Sequence, residues 1–207
     1  MTIDLITVGK TDSAEVSALV ALYSKRIGRW ARFGVVMLPD VKRTGKTTEA
    51  SLTRAEGEML LRQFAPDDHV VLLDDKGPQP TSMEFASWLG RRLAGVDGGF
   101  GASGGSGLGS GRVGDGSAAR GSGRVGGSGV GSGCFGGAGG LGGFGGVRRL
   151  CFVVGGAYGF SPEVRKRANE TVSLSRMTFS HQIVRAIFAE QLYRAFSILH
   201  GEPYHHE

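Results

Sequence analysis

The stretch L-C-F-V-V-G-G-A-Y-G-F-S-P-E at residues 150–163 decides how the chain is read, together with S-L-S-R-M-T-F-S-H-Q-I-V-R-A-I-F-A-E-Q-L-Y-R-A at 173–195 and G-E-P-Y-H-H-E at 201–207. Leu150 to Val154 is an apolar run that predicts a strand, and His69 to Leu73, short and continuously apolar, suits a parallel sheet covered on both faces. Gly155-Gly156-Ala157-Tyr158-Gly159 follows it, and glycines there permit positive φ and let a ligand approach the backbone. Ser161-Pro162-Glu163 then starts a helix: Ser caps, Pro takes the first turn and Glu sits at the positive end. The spacing predicts that this helix ends near Asn169 and that a short strand covers Thr171 to Leu174. A last helix is predicted from Ser180 to Leu199, stopped by Gly201. Its apolar residues, among them Ile183, Val184, Ile187, Phe188, Leu192 and Phe196, cover more than one stripe. Two buried sides are therefore expected, the second facing either the chain's own core or another subunit.

The same alternation runs through the first half. Strands are expected at Ile3–Val8, Val35–Leu38 and His69–Leu73. A helix from Ser13 to Ile27 carries Val16, Leu19, Val20, Tyr23 and Ile27 at helical spacing, and one from Glu49 to Phe64 buries Leu52, Ala55, Met59, Leu60 and Gln63. A basic loop, Val41 to Thr48, lies between the second strand and the second helix. Thr81 and Glu84 form a capping box that opens a helix to Leu93. Strands alternating with helices predict an α/β fold with a mostly parallel sheet. Ligands of such sheets sit beyond the C-terminal ends of strands. Three loops qualify, 74–77, 155–159 and 175–179, and their convergence would build one site.

Composition sets limits. Between Gly95 and Val147, 26 of 53 residues are Gly, too many to bury a core against the entropy of ordering the segment. This tract is expected to be a disordered insertion at 95–147 in a single domain spanning 1–207. Net charge is +5, which suits a nucleic-acid partner, with a basic enzyme that has none as the lesser alternative. The two cysteines, Cys134 and Cys151, give neither a disulfide framework nor zinc spacing. The start, M-T-I-D-L-I-T-V-G-K, lacks a signal-peptide pattern, and no apolar run approaches membrane-spanning length, so the cytoplasm is the expected location.

Several motifs fail on inspection. Gly-Lys-Thr occurs at Gly9 and Gly45, but a phosphate loop needs Gly where Asp4 and Asp40 stand, and an Asp would repel phosphate. Gly155 to Gly159 is not G-x-G-x-x-G, so a dinucleotide is not indicated. No nucleophile elbow surrounds Ser173, Ser175 or Thr178, whose hydroxyls suit an irregular loop's backbone. His205 and His206 lack a second ligand cluster, so no metal is expected.

Taken in order, V-G-G-A-Y-G, S-L-S-R-M-T-F-S-H-Q-I-V-R, E-Q-L-Y-R-A and G-E-P-Y-H-H-E closely resemble the RlmH family, SPOUT-superfamily methyltransferases of bacterial large-subunit ribosomal RNA. I-T-V-G-K near the start and L-L-D-D-K-G at 72–77 resemble it too. The resemblance implies a SPOUT-type α/β fold with a C-terminal trefoil knot, and a homodimer with its site near the interface. It implies transfer of methyl from S-adenosylmethionine to N3 of a pseudouridine in 23S ribosomal RNA on the assembled ribosome, with neither metal nor membrane. By motif position, cofactor contacts fall on Leu73, Gly155, Leu174, Ser175, Arg176, Met177, Thr178 and Phe179. His181, Arg185 and His205 are candidates for removing the substrate's imide proton, for positioning the base that does so or for stabilising the anion. Arg185, Tyr204 and His205 are candidates for holding the substrate nucleotide, the tail reaching it across the dimer. A ribosome-binding factor with the same fold, and a SPOUT enzyme acting on another RNA site, are the alternatives. Two departures stand out: Ser180 where many relatives have Pro, and the glycine tract itself.

Overall fold

The computed structural model describes residues 1–42, 47–96, 99–100 and 148–204. Most of the glycine tract, His205, the second Gly-Lys-Thr run at Gly45 and part of the basic 41–48 loop lie outside the described residues. Among the described residues there are five strands: β1 (Thr2–Val8), β2 (Arg32–Leu38), β3 (His69–Leu73), β4 (Arg149–Val154) and β5 (Glu170–Val172). They form one sheet in the order β2-β1-β4-β3-β5, with every pairing parallel.

Side chains alternate across this sheet, and that alternation makes two cores. Ile3, Leu5, Val71, Leu150, Phe152, Val154 and Val172 point to one face, under helices α1 (Ala14–Ile27), α3 (Ser82–Leu93) and α5 (Ile183–Leu199). Ile6, Val8, Val70, Leu72, Cys151 and Val153 point to the other, under α2 (Glu49–Leu61) and α4 (Pro162–Arg167). Strands buried on both sides explain why β1, β3 and β4 read as continuous apolar runs. Among the described residues, no helix is long and apolar enough to cross a membrane.

Some expected boundaries and burials change. β2 begins at Arg32, three residues before the apolar run, because backbone pairing with β1 extends along Arg32, Phe33 and Gly34. β5 ends at Val172 rather than Leu174, where the chain leaves the sheet into the site. α5 begins at Ile183, and Ser180 caps it from outside: its hydroxyl accepts from the Ile183 N–H at 3.2 Å. In α1 only Ile27 is fully buried and Leu19 is 45% exposed, since α5 covers one flank of the helix. In α2 the buried residues are Leu52, Gly57 and Leu60; Gly57 lies against the Ser161 side chain of α4, an approach that spacing did not reveal. The broad apolar surface of α5 has an explanation within the chain, because the helix packs on both α1 and α3.

Candidate active site

At the C-terminal ends of β3, β4 and β5 the chain leaves the sheet through three loops, and these enclose a cavity of about 510 Å³. Leu73 to Lys76 line it after β3, Val154 to Phe160 after β4, and Ser173 to Ser175 with Met177 to His181 after β5. Arg165 of α4 and Val184 of α5 complete the wall. The volume lies within the roughly 300–1,000 Å³ common for small-molecule sites.

The loops hold one another. Asp74 N–H donates to Val172 O at 3.0 Å, and Ser173 N–H donates to Pro78 O at 2.8 Å. A Cβ on Gly77 would stand 2.9 Å from the Val172 backbone, so only glycine fits this crossing without displacement. Within the third loop, Ser173 Oγ donates to Ser175 O at 2.8 Å, and Met177 N–H donates to Ser175 Oγ at 2.9 Å. These are the backbone duties expected of the hydroxyls. In the glycine turn, Gly159 has φ +76°, and a Cβ on Gly155 would meet Gly159 O and the Phe160 ring at 3.2 Å.

An ion pair joins two walls: Arg165 Nη2 lies 2.6 Å from Asp74 Oδ2, whose side chain is only 5% exposed. Burial pushes the Asp74 carboxyl upward, but bonds from the Lys76 N–H, from Asp75 and from Arg165 outweigh it and hold it below its ordinary value. Asp74 thus remains ionised at neutral pH. Arg165 was missed in sequence, since its partner is ninety-odd residues away and no local pattern marks it.

Most sequence candidates meet here. Leu73, Gly155, Leu174, Ser175, Met177, Thr178, Phe179 and His181 all line the cavity. Arg176 is exposed and does not line it. Met177, 74% exposed, and Phe179, 37%, place apolar surface at the rim. His181 is exposed at the mouth.

Arg185 sits elsewhere. It is 1% exposed, and its guanidinium donates to Val8 O at 2.7 Å, Gly9 O at 3.1 Å, Thr11 Oγ1 at 2.7 Å and His181 O at 3.0 Å. Burial lowers its pKa, with Asp40 and Asp12 acting in the opposite sense. An arginine remains charged throughout the working pH range, so it is no proton acceptor. With four of five donors committed, Arg185 fastens the end of β1 to the start of α5 and holds His181 by its carbonyl. Reciprocal bonds between Asp12 and Gln182, at 2.9 and 2.7 Å, repeat that fastening at the surface.

Tyr204 also lies away from the cavity of its own chain. Its ring meets Tyr193 edge-on at 4.7 Å and its hydroxyl donates to Glu190 Oε1 at 3.2 Å. Burial, then Tyr23 and Glu190, raise its pKa, so it stays a neutral phenol. The tail has turned back along α5 to reach Glu190, and its next residue, His205, is outside the described residues.

An open parallel sheet with its cavity in strand-end loops, one of them carried on the segment before the last helix, defines an α/β ligand-binding enzyme class. A family model described as "Predicted SPOUT methyltransferase" matches residues 1–109 and 143–205, leaving out the middle of the glycine tract and the last two residues. Ribosomal RNA large subunit methyltransferase H of Christiangramia forsetii is 37% identical over 206 residues, spanning 100% of this chain and 99% of that protein. The proteins of the same name from Parabacteroides distasonis and Flavobacterium johnsoniae are 36% and 33% identical, each covering 100% of both chains. The chain belongs to the SPOUT methyltransferases and, among them, to the family of ribosomal RNA large subunit methyltransferase H.

Proposed function

We propose that this protein methylates ribosomal RNA of the large subunit with S-adenosylmethionine as donor, and that the position modified is N3 of a pseudouridine in 23S RNA. The observation that carries the reading is the convergence of the three strand-end loops on one cavity in a chain of this family. When bound, S-adenosylmethionine supplies a methyl group activated by a sulfonium. The cavity fits such a molecule: Leu73, Leu174 and Met177 offer apolar surface, and Gly155 offers backbone that no Cβ shields. Leu73, Gly155 and residues 174–179 are the proposed cofactor contacts, with Arg176 standing outside the cavity wall.

Catalysis in this reading rests on positioning, which is a large lever for a transfer between two bound partners. The Asp74–Arg165 pair and the Gly77 crossing hold the loops rigid. His181 stands at the mouth with its carbonyl gripped by Arg185, where its ring is suited to accept the substrate's imide proton. Arg185 acts through His181 rather than on the substrate. The knotted C-terminal path, the homodimer, and a tail of Tyr204 and His205 that contacts the nucleotide in the partner's site belong to the same proposal.

Primer extension on ribosomal RNA from a strain lacking the gene tests the assignment. N3 methylation blocks the pairing edge, so the expected result is loss of one reverse-transcriptase stop. An unchanged stop pattern refutes it. Calorimetry with S-adenosylmethionine separates an enzyme from a factor that keeps the fold alone.

A further inference from the structure

The end of the sheet remote from the cavity carries a row of cations that the site does not use. Residues 25–32 read K-R-I-G-R-W-A-R, with Lys25, Arg26, Arg29 and Arg32 and no acid among them. They form the corner where α1 ends and β2 begins. In register, Arg32 lies beside Thr2 of β1, and Thr2 beside Arg149 of β4. With neighbouring strands about 4.8 Å apart, Arg32 and Arg149 are about 10 Å apart across the N-terminal edge. Arg148, exposed, precedes Arg149, and its carbonyl accepts from the Thr2 N–H at 3.1 Å. The acids nearby are few. Asp4 and Asp68 are taken by Arg149 at 2.6 and 3.0 Å, Glu202 stands 3.5 Å from the exposed Arg29, and Asp67 lies beyond, on the loop before β3.

This corner is rigidly mounted. Trp30 stacks on Phe196 at 5.7 Å and on the exposed His200 at 5.1 Å, tying it to the end of α5. The Arg29 guanidinium lies over Trp30 at 4.8 Å, and Arg26 lies between Tyr23 and Tyr193 at 5.6 and 5.5 Å. Cations braced on rings lose less freedom when they meet a partner, and guanidinium forks match phosphate oxygens. Six strand residues of about 3.3 Å each put this edge about 20 Å from the cavity.

We propose that Lys25, Arg29, Arg32 and Arg148 form a second docking surface that binds the phosphate backbone of RNA, separate from the methyl-transfer cavity. The inference rests on the ribosomal-RNA reading for its partner. An extended RNA surface would be held at both ends of the sheet, the cavity engaging the nucleotide and the basic edge engaging backbone farther along.

The test compares the full chain with a variant carrying Lys25→Gln, Arg29→Gln, Arg32→Gln and Arg148→Gln, and with one in which the three arginines become lysine. The probes are a labelled RNA duplex of arbitrary sequence and purified large ribosomal subunits, each titrated at several salt concentrations. The Gln variant is expected to bind both at least about tenfold more weakly at low salt, its salt slope falling by roughly 0.7–0.9 per lost contact. The Lys variant should keep most of the slope, and calorimetry should give all three proteins one affinity for S-adenosylmethionine. Unchanged binding and slope in the Gln variant overturn the proposal. So does a loss on subunits with full retention on the duplex, which points to a ribosomal protein instead. The duplex arm needs no methylation, so a wild-type protein that binds duplex through this edge yet leaves ribosomes unmodified refutes the functional reading and spares the surface.

Discussion

Arg185 shows how one residue can serve a site without entering it. Two of its four bonds go to buried backbone carbonyls at the end of β1, those of Val8 and Gly9, and a third goes to the His181 carbonyl. Arg185→Met would strand them, and each stranded group costs about 1–3 kcal/mol. A loss of about 3 kcal/mol or more is expected from urea unfolding, with Arg185→Lys in between. Asp74 carries a pH dependence. Its folded pKa is below its ordinary 3.8, so its contribution to stability is complete above that value and is lost as pH falls through the lowered one. The urea midpoints of wild type and Asp74→Asn should therefore differ at neutral pH and converge in acid. A gap that stays constant down to the lowest pH would show that the ion pair is not its source. Cys151 is the opposite case: burial pushes its thiol up to about 12, with Arg149 pulling the other way, and its surface is fully covered. Peptide mapping after iodoacetamide should find it unmodified in the native protein and modified once the chain unfolds.

Between elements, α2 and α4 meet through a glycine. Gly→Ala in a helix interior ordinarily stabilises by about 1 kcal/mol. At Gly57 a Cβ would strike the Ser161 hydroxyl and lie 2.9 Å from its Cβ. Ser161 is 3% exposed and caps α4 at the Val164 N–H, so it has little room to yield. Gly57→Ala is expected to reverse the usual sign and cost about 1–3 kcal/mol, the range for overpacking. A rise in melting temperature would show that the helices separate freely. Capping, by contrast, was legible in order: Thr81 and Glu84 make the reciprocal bonds their spacing announced, at 3.2 and 2.7 Å.

At the scale of the whole molecule we propose that the glycine tract is an insertion in one domain. Its flanks are described: Phe100 stacks on Trp88 at 4.3 Å and donates its N–H to Glu170 at 3.1 Å, and Arg148 joins the start of β4. Both flanks lie at the sheet edge away from the cavity. Lengthening a connection from about 6 to 53 residues costs about 2 kcal/mol of closure entropy. Replacing residues 101–147 by a short linker should leave the affinity for S-adenosylmethionine unchanged and raise the melting temperature slightly. A loss of cofactor binding would give the tract a role in the site.

Sequence alone determined the class of fold, because strands buried on both faces must be apolar throughout and the helices between them must carry stripes. It also placed the strand-end loops at one edge, where every strand of a parallel sheet ends, while the neighbouring order β4-β3-β5 brought three of them together. Ordered motifs placed the chain in its family. Tertiary structure decided what depends on partners distant in sequence. Arg165 enters the site only because Asp74 lies beside it, and Arg185 leaves it because the carbonyls of Val8 and Gly9 are nearer. A side chain's type shows what it can bond, but its duty depends on which groups the fold brings within about 3 Å of it.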